Sequence, residues 1–264
     1  MNYRALLLGV VAAVALQGVA LAQTQAPQVR VANANPGDVR AMVTAAIRVP
    51  FDAVMTQARA AVGKPLVVEY GSARGNLKSE ILAGQDFEVA LLLPDVDVQT
   101  LAAGKILPGA YEIARVPIAF GLRGDAQVDV STPAAVKKTL LAAKAVKYAP
   151  TGAALMTVKK VLGDLQIGDQ IHDVSAVRDA VTLAPGEYEI NIYPLSEILP
   201  NKALKNLGPV TPALQVPAII TATIGKNAND PAAARALIRF LQSPAIDAAL
   251  KESGMVKGQG ERLK

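Results

Sequence analysis

The chain has no cysteine and a single histidine, His172, in 264 residues. The first absence rules out disulfides, thiol nucleophiles, zinc–thiolate sites and thioether-linked haem. The second leaves His172 as the only imidazole for a Ser-His-Asp triad, and the polar stretch around it, Gly168 to Asp173, reads as a solvated loop. Aromatic residues make up only 4% of the chain, and its Lys and Arg residues form no block. A nucleic-acid groove is therefore not expected. No Gly-x-Ser-x-Gly, no P-loop, no loop-borne carboxylate pair and no metal-ligand cluster occurs. In Gly71-Ser72-Ala73-Arg74-Gly75 the serine directly follows the first glycine, the wrong spacing for a nucleophile elbow. An enzyme, a cofactor and a resident metal are accordingly not expected.

What is present is ample core material. Hydrophobic residues are 52%, charged residues 19%, and mean hydropathy is +0.30, enough for one large domain or two lobes. The net charge of +5 is diffuse; it modestly favours the approach of anions or serves only solubility. Met1–Ala22 has the pattern of a secretory signal: Arg4, an apolar stretch from Leu6 to Val19, and Ala20-Leu21-Ala22 as a small-x-small cleavage site. The expected mature chain begins at Gln23, is periplasmic, carries no lipid anchor and has no later apolar run long enough to span a bilayer.

Along the chain, strand and helix signals alternate, which predicts an α/β fold of two Rossmann-like lobes with mostly parallel sheets. Gln28–Ala32 reads as a first strand, followed by the turn Asn33-Ala-Asn-Pro-Gly-Asp38 and helices over Asp38–Arg48 and Pro50–Val62. Leu66–Tyr70 and Phe87–Leu93 read as buried strands around a helix that Gly84 stops. A short helix is expected over Val98–Ala103. Glu112–Leu122 and Ala213–Ile224 are extended runs broken by Pro117 and Pro217, and so are read as edge or crossing strands between the lobes. Between them lie a helix at Ala134–Ala143 opened by Thr132-Pro133, a strand at Ala145–Tyr148, helices at Ala153–Leu162 and Val174–Ala184, and a strand at Glu187–Tyr193. Asp230-Pro231 and Ser243-Pro244 open two further helices, Gly254 closes the second, and the polar tail Lys257–Lys264 is expected to fray. The lobes are then 23–114 plus 215–264, and 115–214.

In open α/β sheets ligands sit beyond the carboxyl ends of strands. Four such ends stand out: Asn33 and Asn35; Ser72, Ala73 and Arg74; Thr151 and Gly152; and Tyr193. If the lobes face each other these loops converge, and backbone N–H groups with hydroxyls and amides could hold an oxyanion without a full countercharge. Arg74 would favour a carboxylate or phosphate. Each residue also has a purely structural role open to it, as helix cap, turn former or solvated surface group.

Three segments carry a family resemblance: Tyr70 to Ala90, Glu189-Ile-Asn-Ile-Tyr-Pro-Leu-Ser-Glu-Ile-Leu-Pro200, and Pro231 to Ile246. With the exported start, the two α/β lobes and the crossing strands, they make nearly the whole mature chain resemble type II periplasmic substrate-binding proteins, closest to the molybdate binders of ABC importers. The resemblance implies a monomer that captures a small anion and docks on a membrane ABC permease. In the molybdate binders a small-residue loop after the first strand supplies a serine. Here that loop is read as Asn33-Ala-Asn-Pro, without one; Ser72 and Tyr193 match expected contacts, and Arg74 is foreign to the pattern. A small organic carboxylate is the alternative ligand. An exported hydrolase, and a sensor or adaptor for a protein partner, are the alternatives of other classes.

Overall fold

The computed structural model describes residues 35–171, 181–260 and 262–263. The proposed signal, the strand expected at Gln28–Ala32, Asn33 and His172 lie outside these residues.

Two mixed sheets organise the chain. The larger has seven strands: β1 (Val39–Thr44), β2 (Leu66–Gly71), β3 (Val89–Leu92), β4 (Ala110–Val116), β9 (Ala218–Ile224), β10 (Val256–Lys257) and β11 (Arg262–Leu263). Their order is β10-β4-β9-β3-β1-β2, with β11 also on β4. The smaller has four, in the order β6 (Ala145–Lys147), β7 (Glu189–Pro194), β5 (Ile118–Arg123), β8 (Lys205–Pro209). Parallel pairing is confined to β1–β2, β1–β3 and β6–β7; the remaining ladders are antiparallel because the connecting strands re-enter from the other side. Helices are α1 (Arg48–Ala53), α2 (Met55–Val62), α3 (Lys78–Ala83), α4 (Pro94–Ala102), α5 (Pro133–Ala142), α6 (Leu155–Asp164), α7 (Leu195–Ile198), α8 (Pro231–Gln242) and α9 (Asp247–Glu252).

The α/β architecture is as the sequence predicts, but the segment after the Asn33–Asp38 turn is a strand and not a helix. Val39–Thr44 forms β1, between β3 and the edge strand β2 of the larger sheet, rather than part of a helix over Asp38–Arg48. Both faces of β1 are covered, so it reads as a nearly continuous apolar run; Val39, Ala41, Met42 and Val43 are fully buried. The spacing of Met42, Ala45 and Ala46 matches a helix, yet the chain turns into a 3-10 turn only at Ala45–Ile47. Residues 181–184 carry no helix, so the helix expected to end at Ala184 does not reach its predicted end. The tail does not fray: Val256–Lys257 and Arg262–Leu263 both pair with β4.

Helix starts follow their caps. The hydroxyl of Thr132 accepts from the Ala135 N–H (3.1 Å) and the Asp230 carboxylate from the Ala233 N–H (2.9 Å), each ahead of a proline in the first helical position. Gly84 and Gly254, at φ +98 and +68, take the left-handed conformation that ends a helix. Several charges taken into the core are paired, Glu88 with Arg40 and Glu189 with both Arg123 and Lys147, whereas buried Asp97 has only the Thr221 hydroxyl.

The chain crosses between sheets twice. Pro117 separates β4 from β5, and Gln215-Val216-Pro217 precede β9. Neither proline sits inside a strand, so β9 can lie in the interior of the sheet, between β4 and β3, rather than at an edge. The crossing segments are tied to each other. The side-chain amide of Gln215 donates to the Ile118 carbonyl (2.9 Å) and its oxygen accepts from the Ile118 N–H (3.0 Å), an imitation of a sheet rung. The Thr157 hydroxyl of α6 donates to the Val216 carbonyl (2.6 Å).

Candidate functional site

The carboxyl ends of β1 and β2 meet the loops after β6 and β7. Two sets of hydrogen bonds join them. On one side the Ser72 hydroxyl lies 2.6 Å from the Thr151 carbonyl and 2.9 Å from its hydroxyl. The Arg74 N–H also donates to the Thr151 carbonyl (3.2 Å), and the Arg74 guanidinium donates to the Gly152 carbonyl (2.7 Å). On the other side the Ser196 hydroxyl of α7 donates to the Ala46 carbonyl (2.6 Å).

Between these clasps lies a cavity of about 90 Å³. Its walls are small: Ala45 and Ala46 after β1, Gly71 at the end of β2, and Ala149, Gly152, Ala153 and Ala154 from the facing loop. Its polar groups are the hydroxyls of Thr44, Ser72 and Tyr193 and the carboxyl of Glu197. No Lys or Arg lines it. Among the described residues the side chains of Thr44, Tyr193 and Glu197 make no hydrogen bond to the protein. Burial, then the nearby Glu197 and Glu189 charges, hold the Tyr193 phenol above its ordinary range, so it stays a protonated donor. Burial pushes the Glu197 carboxyl up to about 7.

A second cavity, of about 210 Å³, lies on the crossing-strand side and is lined by Leu93, Pro94, Met156, Val216 and Pro217 with Arg74 and Asp95 at its edge. It is larger, both cavities are lined mainly by apolar atoms, and its two charges neutralise each other: Arg74 grips Asp95 through Nε (2.7 Å) and Nη2 (2.9 Å). The smaller cavity holds the unspent polar groups and is the better candidate for ligand capture.

The structure brings together Ser72, Gly152 and Tyr193, as the sequence reading groups them, and separates others. Asn35 precedes β1 and so lies at the amino end of the strand, where its N–H is bonded to the Asp38 carboxylate (2.8 Å). At the carboxyl end of β1 the cavity is lined instead by Thr44-Ala45-Ala46, a strand end the sequence reading placed inside a helix. Ala73 is buried, 1% exposed, with its methyl in the core. Thr151 faces Ser72 and does not line the cavity. Arg74 is committed to Asp95 and Gly152 and does not line the cavity either.

The amides of the Ser72 loop are also taken. Ser72 N–H donates to Asn76 Oδ1 (2.8 Å), while the N–H groups of Gly75 (3.0 Å) and Leu77 (3.3 Å) both donate to the Ser72 carbonyl. The segment Ala73–Leu77 is a single wide turn broken at Gly75, not the start of a regular helix. A Cβ on Gly75 would lie 3.0 Å from Thr151 Oγ1, so glycine allows the clasp to close. Sequence reasoning missed Thr44 and Glu197. Val39–Thr44 lacks the alternation that would mark its end as a strand end, and Glu197 lies four residues beyond Tyr193 in a segment the sequence reading already singled out.

The family model for bacterial extracellular solute-binding protein matches residues 39–256, and the chain belongs to that family. Its fold is that of the periplasmic binding proteins, in line with the resemblance drawn from sequence. The periplasmic molybdate-binding protein of Azotobacter vinelandii superposes with a TM-score of 0.60 at 19% identity, over 84% of this chain and 100% of that one. A sulfate-binding protein from Mycobacterium tuberculosis gives 0.60 at 14% identity, over 83% and 86%. A ferric binding protein from Campylobacter jejuni gives 0.58 at 10% identity, over 81% and 84%. At these identities the likeness is one of fold, and the three names show that one fold serves unlike solutes. Among curated proteins none matches the sequence significantly. Among the described residues no helix is long and apolar enough to cross a membrane.

Proposed function

We propose that this solute-binding protein captures a small oxyanion in the cavity between its two lobes and delivers it, as a periplasmic monomer, to an ABC importer. The lobes follow those drawn from sequence, with the first exchange shifted from 114/115 to Pro117 because Arg115 and Val116 still belong to β4, the second at Gln215–Pro217, and the signal removed after Ala22. The observation that carries the reading is that the unbonded Thr44 and Tyr193 hydroxyls line one small space between the two sheets, beside the Ser72–Thr151 clasp. Hydroxyl donors hold an anion by hydrogen bonds without a neutralising cation. Capture then brings the lobes together, and the Ser72–Thr151 and Ser196–Ala46 bonds secure the closed form that a permease would recognise.

A small organic carboxylate is the second reading. The alanine methyls of Ala45, Ala46, Ala153 and Ala154 and the absence of any lining cation favour it. Titration calorimetry on ligand-stripped protein with molybdate, tungstate, sulfate, phosphate and small carboxylates tests both. Binding that weakens at least tenfold in Thr44→Val and Tyr193→Phe supports this cavity. Tight binding indifferent to both substitutions removes it.

A further inference from the structure

The cavity contains one feature that an oxyanion site does not need. Glu197, in α7, lines it together with Tyr193, and its carboxyl has no hydrogen-bond or ion-pair partner among the described residues. A carboxylate beside a bound anion is repulsive unless a proton lies between them. No cation is at hand to cancel it. Within α7 Glu197 is the sole titratable group. On β7 the neighbours are Tyr193, itself a weak acid, and Glu189, which is already claimed by Arg123 of β5 and Lys147 of β6. Lys205 of β8 is exposed, and the turn Ala45–Ile47 has no charge; Arg48, which follows it, pairs with Asp52.

On the reading that the cavity binds an anion, we propose that Glu197 accepts a hydrogen bond from the solute itself, so that the site selects a small anion that still carries an O–H group. Two kinds of solute share this chemistry: a monoprotonated tetrahedral oxyanion, and a 2-hydroxy carboxylate. Thr44 and Tyr193 present hydroxyls to the anionic oxygens, and Glu197 reads the remaining proton. A fully deprotonated oxyanion such as sulfate or molybdate has no proton to offer and meets the carboxylate directly. Neutralising Glu197 should relieve that repulsion. Because burial holds this carboxyl up to about 7, the discrimination belongs to alkaline conditions and fades as the pH falls below that value.

The test is calorimetry at pH 8 with two matched pairs, phosphate against sulfate and glycolate against acetate, on the wild-type protein and on Glu197→Gln. The expected result is a preference of tenfold or more for the O–H-bearing member of one pair, shrinking to within threefold in the variant as its partner gains affinity. The pair that shows the preference tells which kind of solute the site takes. Circular dichroism and thermal melting check that the variant is folded. Independently of any substitution, the wild-type glycolate-to-acetate ratio, or the absence of both from the site, is followed from pH 8 to 5.5; where glycolate is the ligand its advantage should fall. Sulfate binding as tightly as phosphate in the wild type, with acetate equal to glycolate, overturns the role of Glu197 and leaves the anion site standing. A preference that Glu197→Gln does not change does the same. Failure of all four anions to bind either form overturns the anion reading itself, and this inference with it.

Discussion

The two loops that face each other across the cavity treat their polar groups in opposite ways. In the loop after β2, Ser72 to Leu77, hydroxyl, guanidinium and amides are bonded to protein: to Thr151, Gly152, Asp95 and the loop's own carbonyls. At the end of β7 and in α7, the Tyr193 hydroxyl and the Glu197 carboxyl are bonded to nothing described. A side chain spent on a clasp contributes to closure and to stability. One left unspent in an enclosed space costs stability until something binds it. Under the proposed function, the first loop would latch and the second would recognise.

That contrast can be broken by experiment. The largest expected effect is on the pH dependence of stability without ligand. Glu197 has its carboxyl raised from 4.5 to about 7 by burial, so its contribution is fully present below its unfolded value and lost as the pH rises through about 7. Glu197→Gln should remove this loss and raise stability at pH 8 by about 2 kcal/mol, after allowing for partial exposure. Asp97 and Glu80 are raised too, so the difference between wild type and variant in denaturant titrations is the quantity to read.

Next, Tyr193→Phe should weaken ligand binding by about 1.5 kcal/mol, roughly tenfold, with the melting temperature of the free protein unchanged. A fall in melting temperature instead would place Tyr193 with the latching groups. Arg74→Ala should cost about 1 kcal/mol in stability, discounted because Asp95 is 45% exposed. It should leave the preference among anions unaltered; a changed preference would restore Arg74 to the recognition side. The smallest effect is expected from Ser72→Ala, about 0.5–1 kcal/mol on closure, seen as faster ligand release in stopped-flow measurements.

The division explains what could be read from sequence. The Ser72 loop is conspicuous because glycines, a serine and an arginine crowd a strand end, yet crowding of this kind is also what a latch requires. The capped helices at Thr132, Asp230 and Ser243 are legible since their signals are local. Pro117 and Pro217 mark the crossings for the same reason. The strand β1 was hidden because Val39–Thr44 mixes β-branched residues with Ala41 and Met42, and burial on both faces removes the alternation that identifies a strand. Read as a helix, the segment gave no reason to look for a strand end at Thr44–Ala46. The pairing of the tail with β4 depends on contacts with residues far away in sequence, and no local pattern announces it. Glu197 was passed over because a lone acid on a short helix is ordinary in sequence and unusual only once its neighbours are known.

The amide of Gln215 has a mechanical consequence. Val116 and Ala218 are partners on one side of the crossing, and Gln215 bridges to Ile118 on the other. Between these points Val216 is held at both its N–H and its carbonyl by the Thr157 hydroxyl and the Pro117 carbonyl accepts from the Leu195 N–H (2.9 Å), and each proline has one torsion locked by its ring. If the halves move as proposed, the neck would act as a short, double-leaved flexure rather than a swivel, its two leaves bending together through a small arc.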